Sequence, residues 1–180
     1  DMNGDGVINT YDQDWLGTTL PDFEYGINAE VSYKSFTFSL FGQGVSGKTV
    51  SDGLKGSTDF ASGQGMNFGK RVLEAWTPQN TSSDIPMLSA VNRNNETRSS
   101  NYMLVNGAYF KLRNATLSYT LPREISQRIR ASMLRVYVMG ENFLLVKPTG
   151  KGTFTGPDPE TPGTLYPRPV SLTMGINVTL

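Results

Sequence analysis

From Val170 to Leu180 apolar side chains alternate with small or polar ones without a break. Val170, Leu172, Met174, Ile176, Val178 and Leu180 make one set, and Ser171, Thr173, Gly175, Asn177 and Thr179 the other. A period of two puts the sets on opposite faces of a β-strand. The same rule runs through Phe23 to Tyr33, where Phe23, Tyr25, Ile27, Ala29, Val31 and Tyr33 oppose Glu24, Gly26, Asn28, Glu30 and Ser32. A tight Lys34-Ser35 connection leads to Phe36, Phe38 and Leu40 opposite Thr37, Ser39 and Gln43, so the pair predicts a hairpin. A fourth strand is expected from Tyr109 to Leu121, with Ala115, Leu117, Tyr119 and Leu121 facing away from Asn114, Thr116, Ser118 and Thr120. A fifth is expected from Met133 to Leu145, with Leu134, Val136 and Val138 opposite Arg135, Tyr137 and Met139; its upper end, Gly140-Glu141-Asn142-Phe143, breaks the alternation.

The connections alternate in length. Lys34-Ser35 is tight, and Pro122 to Ser132 is short, with room for a helical turn over Arg123 to Arg130. The stretches 47–107 and 146–169 are long, the second rich in Pro and Gly. Loops of that length are uncommon inside compact soluble domains and usually functional. Outer-membrane barrels have short periplasmic turns and longer extracellular loops. The pattern therefore predicts an all-β, antiparallel transmembrane β-barrel section over 22–180, preceded by an extracellular loop over 1–21. Ten steps from Phe23 to Tyr33, at roughly 3.3 Å each and a tilt of about 40°, rise roughly 25 Å, the height of a barrel's lipid-facing band. Phe23 and Tyr25 fall at its outer rim, and Tyr33, Phe36 and Tyr119 at its inner rim, where aromatic girdles sit. A secreted, calcium-stabilised β-sandwich, serving as a binding or adhesion module, alternates in the same way by burying one face, and stays open as the alternative.

Composition narrows the chemistry. The chain has no Cys and no His, which removes thiol catalysis, disulfides, Cys/His zinc sites and the Ser-His triad. Lys plus Arg equal Asp plus Glu, so no basic field points to nucleic acid. No run of eighteen apolar residues is present, which excludes a transmembrane helix but not transmembrane strands. Glu24 and Glu30 lie six apart on one strand, roughly 20 Å from each other, too far for paired-acid hydrolysis. No enzyme is expected.

The opening string Asp1-Met2-Asn3-Gly4-Asp5-Gly6-Val7-Ile8-Asn9-Thr10-Tyr11-Asp12 follows calcium-loop spacing. Asp1, Asn3, Asp5, Asn9 and Asp12 bring side-chain oxygens, Val7 a backbone carbonyl, Gly6 the sharp turn, and Ile8 is expected to pack inward. Ca²⁺ takes six to eight oxygens at about 2.3–2.6 Å, and such spacing wraps them round one point. The role expected is a structural clamp at extracellular calcium levels, without EF-hand helices, since Pro21 stops any helix that follows. The string also resembles one dockerin repeat, but a dockerin needs two.

Several strings keep the order and spacing of a known family. They are Asp1-Met2-Asn3-Gly4-Asp5-Gly6, Leu16-Gly17, Pro21-Asp22-Phe23, Tyr25-Gly26, Phe41-Gly42-Gln43-Gly44, Trp76-Thr77-Pro78-Gln79-Asn80, Tyr109-Phe110-Lys111-Leu112-Arg113-Asn114, Leu117-Ser118-Tyr119-Thr120-Leu121-Pro122, Arg135-Val136-Tyr137, Gly140-Glu141-Asn142, Asp158-Pro159-Glu160 and Tyr166-Pro167. Across nearly the whole chain the order resembles the C-terminal region of SusC/RagA-like TonB-dependent transporters of the bacterial outer membrane. The resemblance implies that the chain supplies about the last five strands of a barrel of about 22, closed by an N-terminal plug. It also implies a SusD-like surface lipoprotein as partner, glycan or peptide oligomers as cargo, membrane lipid around the barrel, and TonB acting through N-terminal parts outside this chain. Such barrels usually end on an aromatic residue, and Leu180 departs from that.

Position then assigns roles. Ile27, Ala29, Val31, Leu117, Val136, Met174 and Ile176 are expected to face lipid. Glu24, Asn28, Glu30, Gln43, Asn114, Thr116, Arg135, Tyr137 and Asn177 are expected to face a wet lumen, with Glu24, Asn28, Arg135 and Tyr137 as candidate contacts to plug or cargo. Trp76 and Tyr166, in the two long loops, are candidates for contact with a partner protein or a sugar ring.

Overall fold

A computed structural model describes residues 1–60, 65, 67–91, 97–164 and 166–180. After a short 3-10 turn at Thr10–Asp12 come strands β1 (Phe23–Tyr33), β2 (Phe36–Ser46) and β3 (Thr49–Ser51), helix α1 (Gly53–Thr58), strands β4 (Leu104–Asn106) and β5 (Tyr109–Thr120), helix α2 (Arg123–Arg128), and strands β6 (Met133–Val146) and β7 (Ser171–Thr179). Five strands form one antiparallel sheet in the order β1-β2-β5-β6-β7, and β3 pairs with β4 separately. The five long strands are those that alternation predicts, to within a few residues at each end. The tight turn, α2 and the end of β7 share one edge; the opening segment and both long loops share the other.

Register carries the main result. Ile27 pairs with Gly42, Ala29 with Leu40, and Val31 with Phe38. Leu40 and Phe38 pair with Ala115 and Leu117, these with Gly140 and Val138, and these with Leu172 and Met174. Directly paired residues point to the same side of a sheet. The apolar sets of all five strands therefore merge into one continuous face. A slip of one residue in any strand would have turned its set over.

That continuity survives an irregularity inside β5. Gly42 pairs with Leu112 and Phe41 with Asn114, leaving Arg113 as an extra residue. A bulge of this kind opposes two residues to one. It lets Arg113 and Asn114 both stay on the polar side while Leu112 and Ala115 both stay on the apolar side. On β6 the matching disturbance lies at Asn142, whose φ of 56° is left-handed. This accounts for the broken alternation of Gly140 to Phe143, since Asn tolerates that conformation better than most residues.

Among the described residues nothing covers the apolar face. Val31 is 66% exposed, Met174 74% and Ile176 66%. A soluble monomer rarely shows a contiguous apolar patch above roughly a few hundred Å². The sandwich alternative requires a second layer on this face, and these side chains have none. Aromatics mark both rims. Tyr25 stacks on Phe23 and Phe110 at centroid distances of 5.8 and 6.1 Å, and at the other edge Phe36 lies 4.7 Å from Tyr119.

The buried apolar core lies elsewhere. Val50, Val105 and Phe154 form its nucleus, and Phe60, Val72, Ala75 and Met103 are also buried. All belong to the stretches read from sequence as two long loops. Those stretches carry β3, α1 and β4, and they pack together as one folded cap above the sheet.

Candidate functional site

The polar face is where this chain gathers chemistry. At the bulge, Lys111 and Arg113 project from β5 on the same side as Gln43 of β2. The loop between β6 and β7 returns over them and presents Asp158 and Glu160. Lys111 Nζ donates to Asp158 Oδ2 at 2.5 Å and to Glu160 Oε2 at 2.8 Å. Arg113 is bidentate on Glu160, Nη2 to Oε1 at 2.6 Å and Nη1 to Oε2 at 3.0 Å, and its Nη2 and Nε also donate to Gln43 Oε1 at 3.2 and 3.3 Å. Arg168 stands farther off, 3.7 Å from Glu160 and 3.9 Å from Asp158. Lys111 and Asp158 are almost wholly buried, and Pro159 between the carboxylates is fully so. The hydrogen bond from Arg113, reinforced by Lys111 and opposed by partial burial, holds the Glu160 carboxyl down at about 2.

A second set of buried charges organises the cap. Asp52 is fully buried; it caps α1 through Leu54 N–H and accepts from the N–H and Oγ1 of Thr155 at 2.9 and 2.5 Å. Asp59, equally buried, accepts from Arg71 Nε at 2.8 Å and from the Tyr102 hydroxyl at 2.5 Å. Burial first, and the bond to Asp59 second, push the Tyr102 phenol well above its usual range. Burial pushes the Lys55 ammonium down, with Arg71 adding repulsion; Lys55 Nζ donates to the Tyr102 carbonyl at 2.8 Å. A cavity of about 950 Å³ opens beside these groups, lined by Lys55, Arg71, Asp84, Tyr102, Lys151 and Thr155 among others. Cations, a carboxylate, hydroxyls and one ring suit a polar, hydrogen-bonding ligand better than an apolar one.

The residues singled out by sequence fall in separate places. Glu24 and Asn28 are exposed on β1, at one edge of the sheet's polar face. Arg135 pairs in register with Asn177 and Thr120 on that face, and its buried Nε has no hydrogen-bond partner. Tyr137 lies across Gly175, in the space a side chain there would fill. Trp76 is half-buried in the cap, whereas Tyr166 projects at 85% exposure. None of these six belongs to the Lys111–Asp158 cluster. Sequence reasoning passed over that cluster, although two cations spaced two apart within a strand, and two carboxylates bracketing a proline, were both visible.

The opening loop is folded, with Gly4 and Gly6 at φ of 76° and 80°. Asp1 accepts from the N–H groups of Gly4, Asp5 and Gly6, Asp5 from that of Val7, and Asp12 from those of Met2 and Asn9. The two bonds to Asp12 hold its carboxyl below the usual range. This all-oxygen ring suits a hard cation in donor type. Among the described residues, however, no three Asp, Glu, His or Cys side chains are gathered as a metal-holding group. Asn3 donates to Asp5 Oδ2 and Asn9 to the Val7 carbonyl, at 3.0 and 3.1 Å. A cation would have to displace both amides. Ile8, expected to pack inward, is 58% exposed, because no flanking helix is there to receive it, and its carbonyl accepts instead from Arg98.

Comparison with known proteins places this architecture. No family model matches the chain. It is 32% identical, in an alignment of 190 positions that takes in 99% of the chain, to TonB-dependent receptor P26 of Formosa agariphila. It is likewise 32% identical over 164 residues, 89% of its length, to TonB-dependent receptor P3 of the same organism. The chain spans 19% and 15% of the length of these two relatives. Among solved structures, a RagAB peptide transporter matches with a TM-score of 0.71 at 25% identity, over 91% of this chain and 18% of that one. A RagAB peptide importer in an 'open-open' state matches in fold with a TM-score of 0.70 at 23% identity, over 97% and 20%. Over nearly its whole length the chain is similar in sequence to TonB-dependent receptors, and its five-stranded antiparallel sheet matches a section of the RagAB barrel in fold.

Proposed function

We propose that this section is part of an outer-membrane transporter that imports large nutrients, glycan or peptide oligomers, together with a SusD-like surface lipoprotein and at the expense of TonB. The observation that carries the reading is the single bare apolar face running across five strands in register. In this reading the face meets acyl chains, the opposite face lines a wet lumen, and the cap stands on the extracellular side. The role is transport rather than catalysis. RagAB, whose solved structures this fold resembles, is a peptide transporter, which favours peptides over glycans. Single-cysteine labelling of the full-length transporter in membranes tests the facing. Cysteines replacing Ile27, Leu117 and Ile176 should react only with a lipid-soluble maleimide, and those replacing Asn28, Thr116 and Asn177 with a water-soluble one. Equal reactivity of both sets would remove the reading.

The opening loop in this reading binds one structural Ca²⁺ through Asp1, Asn3, Asp5, the Val7 carbonyl, Asn9 and Asp12. What supports it is the spacing and the ring of backbone N–H groups that already orients the carboxylates. Terbium luminescence excited through nearby Tyr11 and Trp15 tests it in the full-length protein. The signal should saturate, be competed by Ca²⁺, and fall at least tenfold in Asp5→Ala.

A further inference from the structure

We infer that the loop between β6 and β7 is a permanent strap across this sector of the lumen, locked to the barrel wall by Lys111 and Arg113, and that cargo passes without displacing it. The inference rests on the reading of the polar face as the lumen.

The strap is anchored at two points. On the wall, the Asp158-Pro159-Glu160 carboxylates answer the Lys111 and Arg113 cations one for one, with four hydrogen bonds between 2.5 and 3.0 Å. Charge-assisted, bidentate bonds of this kind are the strong ones, and partial exclusion of water strengthens them further. On the cap, Thr155 holds fully buried Asp52, Lys147 Nζ donates to the Gly156 carbonyl, and the ring of Phe154 completes the nucleus with Val50 and Val105. Backbone bonds tie the same run to β4, Phe154 N–H to the Asn106 carbonyl and Asn106 N–H to the Gly152 carbonyl. Within this run Phe154, Gly156, Asp158 and Pro159 are buried, although it is neither helix nor strand.

A gate needs a hinge between its anchors and a second resting place. Here the conformationally free glycines, Gly150 and Gly152 at φ of 117° and 70°, lie ahead of both anchors. Swinging the strap out would break the ion cluster and extract Phe154 from the cap together. The consequence for transport is specific. Lys111, Arg113 and Gln43 are withheld from cargo, while polar positions at the two sides of the sheet stay open, Glu24, Asn28 and Glu30 on β1 and Asn177 on β7.

Gln43 and Glu160 meet on the same Nη2 of Arg113, so their side-chain ends lie close together. A Gln43→Cys/Glu160→Cys pair in the full-length transporter, freed of other cysteines, is therefore within reach of a short, cleavable bis-thiol crosslinker. Uptake of radiolabelled oligomer by cells should agree within about twofold between the crosslinked and cleaved forms. Uptake lost on crosslinking and regained on cleavage would overturn the inference. Independently, Asp158→Asn/Glu160→Gln should raise hydrogen exchange of segment 154–161 at least tenfold and admit a large antibiotic normally excluded by the outer membrane. Unchanged exchange and unchanged exclusion would overturn it as well. Failure of the lumen reading is seen separately, in the labelling of residues 27, 28, 116 and 117.

Discussion

Neighbouring residues on one strand live in different surroundings, and the difference has a size. Ile27 lies on the apolar face and Asn28 beside it on the polar one. Arg at the midplane of a barrel's lipid face costs about 2–4 kcal/mol. Ile27→Arg should therefore lower refolding stability in lipid vesicles by about that much, and Asn28→Arg by less than about 1 kcal/mol. Equal penalties in a urea titration would contradict the facing. At the wall, Lys111→Met leaves Asp158 buried without its closest partner; breaking a buried pair from one side costs about 3–5 kcal/mol, and the same titration reads it. Glu160 sets the pH range. Its carboxyl is depressed from 4.5 to about 2 by Arg113 and Lys111, with Arg168 and Asp158 also at hand. Its contribution is complete above the unfolded value, and it is lost as pH falls through 4.5 toward 2. A nitroxide at Thr161 should stay immobile from pH 8 to pH 5 and loosen only below about pH 4. Side-chain facing was legible because alternation states it directly. The partners of Lys111 were not, since nothing local says that a loop 47 residues downstream folds back to meet it.

At the scale of elements, strands were readable and the cap was not. A strand between two solvents must alternate, so its pattern is complete within ten or so residues. The cap is held by contacts between residues far apart in the chain, Asp52 with Thr155 for one, and its helices and strands are too short to show a period. The bulge at Arg113 shows how tightly facing is controlled. One added residue is tolerated there because it sits where two polar side chains can point inward together. The same addition elsewhere should fail. Inserting one Ala between Thr116 and Leu117 leaves Ser118 and Thr120 facing lipid if the pairing above is kept. Folded protein in the outer-membrane fraction, read by heat-modifiable gel mobility, should drop at least tenfold. Normal yield would mean that register does not specify the two faces.

At the scale of the whole molecule, the chain is one section of a larger wall. Both edge strands, β1 and β7, have one side unpaired within it. With a bare apolar face and two open edges, residues 1–180 expressed alone should precipitate from water and stay dispersed only in detergent; a soluble monomer in light scattering would argue against the barrel. The nucleus of Val50, Val105 and Phe154 has a further effect. It draws on the connection from β2 to β5 and on the connection from β6 to β7. Three hydrophobic side chains thus knot together the upper ends of four strands. Which strand neighbours which is written into a buried knot within the cap as well as into hydrocarbon, so a misordered wall would leave that knot untied even where every ribbon still shows oil to oil.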